Sequence, residues 1–259
     1  MVSKKIFLCD DTIDGIFTAI YQAWSSKYGH ANIKIEEKAG RNQYSNMELF
    51  SEYIPVETNN DLAVKVSETI KVKLKEEAFQ MVCHVALSNY YGKADLIYRF
   101  LILGFAAGTG IMEHLSNEVV CKMHQVSKYV FNEAHHLFGF VRFSEQDNGV
   151  LMSVIHPNNN VLAILAPHFA DRLPREHFII WDKNRDNAVL HAPGRPWIMV
   201  DASILNTMDL DDGHIEDEYT DLWKIFFKHI AIEDRINPKL QRNNLPLRFR
   251  KDITEFYLS

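Results

Sequence analysis

The chain predicts an α+β protein with a helical middle segment and an antiparallel β-sheet that has helices packed on one face. Three observations predict it. Apolar residues recur every four positions through the middle of the chain, with helical period. That period switches to alternation at Phe138. Beyond the switch, two clusters of turn-forming residues separate two pairs of short apolar runs, with a helical run between the pairs. The order strand–strand–helix–strand–strand favours antiparallel pairing over a parallel α/β sheet.

In chain order, Lys5 to Cys9 reads as a strand ending in Asp10-Asp11, and Thr12 can cap a helix carrying Ile16, Ile20 and Trp24. Ile33 to Glu37 alternates apolar and charged residues and reads as a half-exposed strand, whereas residues 40–55 have no clear pattern. Leu62, Val66, Ile70, Leu74, Ala78, Val82 and Ala86 define a long helix, or two with a break, behind an Asn59 or Asn60 N-cap. A second apolar helix follows Tyr91-Gly92 and ends at Gly108-Thr109-Gly110, and Val119 to Leu137 gives a third. Phe140 to Phe143 and Leu151 to Ile155 form a hairpin about Asp147-Asn148-Gly149. Val161 to Leu173 fits a short helix. Phe178 to Trp181 and Ala188 to His191 form a second pair about residues 183–187. A helix built on Tyr219, Leu222, Trp223, Phe226 and Ile230 closes the pattern. The organisation expected is 1–137, an N-terminal α/β and helical segment, and 138–259, the sheet with a C-terminal helix and basic tail, as two domains or one continuous one.

Composition narrows the function classes. With 259 residues, 47% of them hydrophobic, the chain can bury a sizeable core. A net charge of -6 argues against coating nucleic acid through bulk electrostatics, though not against a local basic patch. Cys9, Cys83 and Cys121 are far apart and odd in number, so no disulfide framework, zinc knuckle or four-cysteine cluster is expected, and reduced thiols in a cytoplasmic protein are the simplest account. The longest apolar run, Phe100 to Ala107, is short of the roughly 18 residues of a membrane helix. The N-terminal apolar run is too short for a signal peptide. P-loop, GxGxxG, GxSxG and metalloprotease signatures are missing.

Polar residues that could carry chemistry cluster between residues 133 and 185, where strands and helix end. His168 has Asp171 and Arg172 one helical turn on, so a carboxylate could orient the imidazole as a base; a surface ion pair beside a packed histidine competes with this. Asp182 and Arg185 stand at a strand end, where an Asp either serves a site or caps the turn. Arg142 alternates with Val141 and Phe143, and either reaches phosphate or an acidic site residue or decorates the wet face of the sheet. Glu133 and His136 have usable metal-ligand spacing, but two helix-end histidines are more simply solvated dipole partners, and no metal or cofactor is expected. His156-Pro157-Asn158 shares His-Pro with a turn of uracil-DNA glycosylases, but the rest of that signature is missing and the match is taken as chance. Residues 201–221 hold eight acids and no Lys or Arg. The tail then reverses sign with Arg235, Lys239, Arg242, Arg248, Arg250 and Lys251, interleaved with amides, Phe249 and Tyr257. That mixture suits a phosphate backbone and stacked bases, or a dock for the acidic segment.

The combined order of motifs carries a resemblance. It comprises Asp10, Gly139-Phe140-Val141-Arg142-Phe143, Leu165-Ala166-Pro167-His168-Phe169-Ala170-Asp171-Arg172, and Trp181-Asp182 with Arg185. Glu218, Trp223, Phe226 and Phe227 follow, then Ile232-Glu233, Arg235, Asn237-Pro238-Lys239-Leu240-Gln241-Arg242, Pro246 and Arg248. Together these resemble a bacterial family of unknown biochemical function described as DNA metabolism proteins. Its members look like partners of a DNA modification or repair radical SAM protein, and some are fused to a uracil-DNA glycosylase domain. The chain departs from the pattern at Asp10-Asp11-Thr12, where Asp-Gly is usual, and at His135-His136, where a His-Arg pair is usual. The resemblance implies DNA and a radical SAM protein as partners and supplies no catalytic residues.

Three functions follow as expectations. The first is a DNA-repair accessory binding nucleic acid or that partner, with Arg142, Arg172, Arg185, Arg235, Lys239, Arg242, Arg248 and Arg250 as phosphate contacts. The second is an enzyme acting on DNA or nucleotides through His168, Asp171 and Asp182. The third is a protein–protein adaptor without nucleic-acid contact, marked by an exposed apolar patch.

Overall fold

The computed structural model describes residues 4–38, 48–146, 149–203 and 237–253, with positions 222, 225, 226, 229 and 256. The chain divides into two compact units, Met1–Phe131 and Asn132–Ser259.

In the first unit, β1 (Lys4–Cys9) is the central strand of a parallel sheet, between β2 (Ile33–Glu37) and β3 (Ser51–Pro55). Strand β3 lies within the stretch that has no sequence pattern. It is an edge strand without a fully buried residue, so no alternation marks it. Helix α1 (Ile13–Ser25) begins as expected, with Thr12 Oγ1 accepting the Gly15 amide at 3.0 Å. Its Ile16, Phe17, Ile20 and Ala23 are buried. The turn into α1 is so tight that a Cβ on Gly15 would lie 2.5 Å from the Asp10 carbonyl oxygen.

Helix α2 (Asn60–Leu87) is capped by Asn59, whose side chain accepts the Leu62 amide at 3.1 Å. The Asn59 amide in turn donates to the fully buried Thr18 hydroxyl at 3.1 Å, which ties the start of α2 to α1. The expected break lies at Lys75, whose φ of 72° and ψ of 170° interrupt the helical backbone. The four-residue stripe nevertheless stays buried across it, from Val66 to Ala86.

Helix α3 (Lys93–Ala107) and the 3₁₀ turn after it, Lys93–Glu113 together, are long and apolar enough by composition to cross a membrane. The apolar content has a local use: Ile97, Tyr98, Phe100 and Leu101 are fully buried in the core of this unit. On the same helix Arg99 donates to the His30 carbonyl at 2.6 Å and to the Ile33 carbonyl, so α3 is bonded to the start of β2.

Helix α4 (Glu118–Phe140) contains the division between the units. It overruns the expected switch of period, and this corrects the first hairpin. Phe140 ends the helix, and the strand β4 is only Ser144–Glu145, paired antiparallel with β5 (Leu151–Ile155). Arg142 therefore does not lie on a strand. Its Nη1 donates to the Gly139 carbonyl at 2.7 Å and closes the end of α4.

The second unit has a five-stranded sheet in the order β4-β5-β6-β7-β8, with β6 Phe178–Asp182, β7 Asn187–His191 and β8 Ile198–Asp201. The α+β class holds, and three of its four pairings are antiparallel. The exception is β5 with β6, which run parallel. Helix α5 (Leu162–Arg172) is the crossover between them, and a helical crossover returns the chain in the same direction. The carboxyl ends of β5 and β6 consequently lie side by side, with Ile155 opposite Asp182. Helix α6 (Pro238–Asn244), capped by Asn237, and a 3₁₀ turn at Leu247–Asp252 form the described part of the tail. Of the expected closing helix, Leu222 and Phe226 are helical; Tyr219, Trp223 and Ile230, and the acidic segment from 204 to 221, lie outside the described residues.

Gly15→Ala tests the tight β1–α1 turn. The added methyl meets the Asp10 backbone and the capping Thr12 hydroxyl, so a loss of about 2 kcal/mol is expected in urea denaturation. An unchanged midpoint would mean that the turn is looser than described.

Candidate functional site

The site is built around residues 156–160, His-Pro-Asn-Asn-Asn, which join β5 to α5 at the carboxyl end of the parallel pair. In sheets with parallel strands, ligands bind in the crevice outside those carboxyl ends. A connecting loop carries backbone donors and acceptors that need partners when buried. Here the partners are ionised side chains from three separate parts of the second unit.

The first is Glu133 on α4. Its carboxyl is 1% exposed and accepts the amides of Asn158 at 3.1 Å and Asn159 at 2.7 Å. It also accepts the Asn159 side-chain amide at 2.7 Å and an ion pair from Arg248 at 3.2 Å. Glu133 is thus saturated, and the spacing that suggested a metal pair with His136 serves a different end. Among the described residues no group of three His, Cys, Asp or Glu could hold a metal ion. Nor is His136 a solvated helix-end residue. It stacks on Phe140 at 5.7 Å and meets Phe249 edge-on at 5.7 Å. Burial first, then the nearby Arg248 and His135, holds its pKa below the ordinary histidine value.

The second is the β6–β7 turn. Asp182 is fully buried, accepting the Asn184 amide at 2.9 Å and Arg185 Nη1 at 2.9 Å. Arg185 also donates to the Pro157 carbonyl at 3.1 Å and to the Asn158 carbonyl. Asn184 adds a bond to Pro157 at 3.0 Å. Burial raises the Asp182 pKa against the lowering effect of Arg185. Asp182 and Arg185 are therefore the struts of the loop. The turn-capping role competes successfully with the catalytic one for Asp182, and the Arg185 fork is occupied by protein acceptors where phosphate was expected.

The third is Asp252 in the C-terminal 3₁₀ turn. One oxygen accepts His156 Nδ1 at 2.7 Å and the other accepts the His156 amide at 3.1 Å. The Asp252 side chain is 7% exposed and the imidazole 30%. An ionised carboxylate only accepts, so Nδ1 carries a proton, and in the neutral ring the lone pair is then on Nε2. Asn160 completes the loop with a buried Oδ1 that has no hydrogen-bond partner among the described residues.

The remaining expected residues do not gather here. His168 packs 4.4 Å from the Phe138 ring and 5.0 Å from Phe169, and its buried Nε2 has no hydrogen-bond partner among the described residues. Asp171 and Arg172 are exposed, and no hydrogen bond joins His168 to Asp171 or to Asp182 among the described residues. The His168–Asp171 dyad is not formed, because α5 turns the imidazole toward aromatic rings and the charged pair toward solvent. On the tail, Arg248 stacks over Phe249 at 4.5 Å, while Arg250 bonds Gln241 at 3.2 Å and stacks over Phe256 at 4.6 Å. Lys239, Arg242 and Lys251 are exposed, and Arg235 lies outside the described residues.

Sequence reading passed over Asn159, Asn160 and Asp252, and took His156-Pro157-Asn158 for a chance match. Only the run of three asparagines after His-Pro offered a signal, since amide-rich loops at strand ends are short of apolar reasons to exist.

Replacing Arg185 with Met tests the network. Asp182 would lose the cation that lowers its pKa, so the folded carboxyl titrates still higher. The penalty of its charged form is then present above that folded pKa and disappears as pH falls to the unfolded value. A loss of about 3–5 kcal/mol is expected in urea denaturation at about pH 7, shrinking toward about pH 4. A deficit independent of pH would show that Asp182 is not the group at stake.

No curated protein sequence matches the chain. Residues 91–255 match the sequence profile of a domain of unknown function, DUF4130, a span that takes in the whole loop network and its C-terminal anchor Asp252. With well over half of its 259 residues inside that match, the chain belongs to the DUF4130 family.

Proposed function

We propose that the protein is an accessory of DNA metabolism or repair, working in the cytoplasm, that binds nucleic acid through its C-terminal basic element and acts beside a radical SAM enzyme. The observation that carries this reading is the set of exposed cations Lys239, Arg242 and Lys251, none of which is paired with a carboxylate among the described residues. Gln241, Asn243 and Asn244 are interleaved with them and can reach sugar and base edges. A chain of net charge -6 would need such a local patch to approach a polyanion. The radical SAM partner rests on the resemblance of the motif order, and the partner's cofactor would supply the difficult chemistry.

The contact set is narrower than the sequence suggested. Arg142 closes α4 and Arg185 braces the loop, so neither is aimed at phosphate. Arg248 and Arg250 are largely engaged within the protein, and Phe249 is 3% exposed and cannot stack on a base.

The test is fluorescence anisotropy with labelled single-stranded DNA across a salt series, using a Lys239, Arg242 and Lys251 triple-alanine variant. If all three meet phosphate, the slope of log K against log salt should flatten by about 2 and low-salt affinity should fall at least roughly tenfold. Equal slopes for variant and parent would exclude phosphate contact by this element. No binding at low salt would leave it as a dock for a protein partner.

A further inference from the structure

We propose that the loop 156–160 is an acid–base site in which His156 is the general base and Asp252 its positioning residue, acting on a nucleotide phosphate ester. The inference rests on the reading that this unit meets nucleic acid, and adds to it a reaction at the loop beside Lys251 of the basic element.

Geometry carries the assignment. Asp252 grips His156 twice, at Nδ1 and at the backbone amide, which fixes both the tautomer and the ring position. The carboxylate is nearly buried while the imidazole is 30% exposed, and because Asp252 holds Nδ1, Nε2 is the nitrogen left for a ligand. The loop beneath is held by the buried carboxylates Glu133 and Asp182, and little of it can move. Structural histidines do not require this. A loop could be packed with apolar residues, whereas ionised groups buried for one five-residue turn hold a side chain where a reaction needs it.

The charges around the loop select the ligand. All three carboxylates, Glu133, Asp182 and Asp252, are neutralised or bonded within the protein. Of the cations on the same elements, Arg185 is held by Asp182 and the loop carbonyls and Arg248 by Glu133, whereas Lys251 beside Asp252 is exposed. The buried, unpartnered Oδ1 of Asn160 adds an acceptor for an amino or hydroxyl group. An anion that also carries donors suits this set, and a nucleotide phosphate has both. In the reaction, Nε2 takes a proton from water as the water oxygen forms a bond to phosphorus. The ester P–O bond breaks, and the departing oxygen takes a proton from solvent. The products are a phosphate and an alcohol, with no redox change.

The experiment uses the full chain with two substrates, a labelled single-stranded DNA oligonucleotide and thymidine monophosphate, alongside ¹⁵N spectra of the imidazoles. Hydrolysis of either ester, reduced roughly 10²–10⁴-fold in His156→Gln with an unchanged melting temperature, is the expected result. Asp252→Asn should reduce the rate and abolish the Nδ1-protonated signature of His156. Thymidine monophosphate should shift the His156 Nε2 resonance, a readout that does not depend on either variant folding. Cleavage of the oligonucleotide alone would identify nucleic acid as the source of the ester, and hydrolysis of the mononucleotide alone a free nucleotide. Oligonucleotide binding with no hydrolysis of either substrate would overturn this proposal while leaving the accessory role in place. Rates in His156→Gln equal to those of the parent, or an Nε2 resonance that ignores the mononucleotide, would overturn it as well.

Discussion

The second unit depends on one buried group, the carboxylate of Glu133. In an apolar surrounding an unpaired carboxylate would cost several kcal/mol, and it is kept charged-compatible by three N–H donors and the Arg248 guanidinium. Each of those donors comes from somewhere that must be placed. Two backbone amides set the path of the 156–160 loop, the Asn159 side chain sets its depth, and Arg248 brings in the C-terminal turn. One helix residue therefore joins three segments that are remote in sequence.

The consequences extend from that carboxylate in both directions. Because Arg248 is anchored, Phe249 can insert among His136 and Phe140, and Asp252 arrives within reach of His156. From the opposite side Arg185 holds the carbonyls of Pro157 and Asn158 while Asp182 holds Arg185. The amides of Asn158 and Asn159 face an acid and the carbonyls of Pro157 and Asn158 face a base, so these backbone groups are met without a strand partner. Such an arrangement is rigid by construction, which suits a position where parallel strands end.

Much of the fold was legible because it follows from local rules. Asn59 and Thr12 are caps by residue type and position, and both cap. The four-residue stripe from Val66 to Ala86 names the buried face of α2 whatever it packs on. The β6–β7 hairpin is announced by its polar turn, with Asp182 opposite Asn187. What escaped is non-local. Strand β3 has no alternation because it sits at an edge, and the end of α4 ran on past Phe138 because Phe140 finds its partners in Phe249 and His136. The parallel pairing of β5 with β6 is a property of the crossover, and the residues of either strand read the same in both directions.

The same division separates the candidate sites. By itself the sequence determined the class of the fold, the helices and their buried stripes, and the concentration of cations in the tail, because period, caps and charge are properties of neighbours along the chain. Only tertiary structure decided which charges are free. Arg185 and Asp182 read as a site and are struts. His168 and Asp171 have helical spacing but face an aromatic pocket and solvent respectively. His156 and Asp252 lie 96 residues apart and share two hydrogen bonds. Spacing within a helix is set by its 3.6-residue turn, whereas a contact across 96 residues depends on where the rest of the unit brings the chain back.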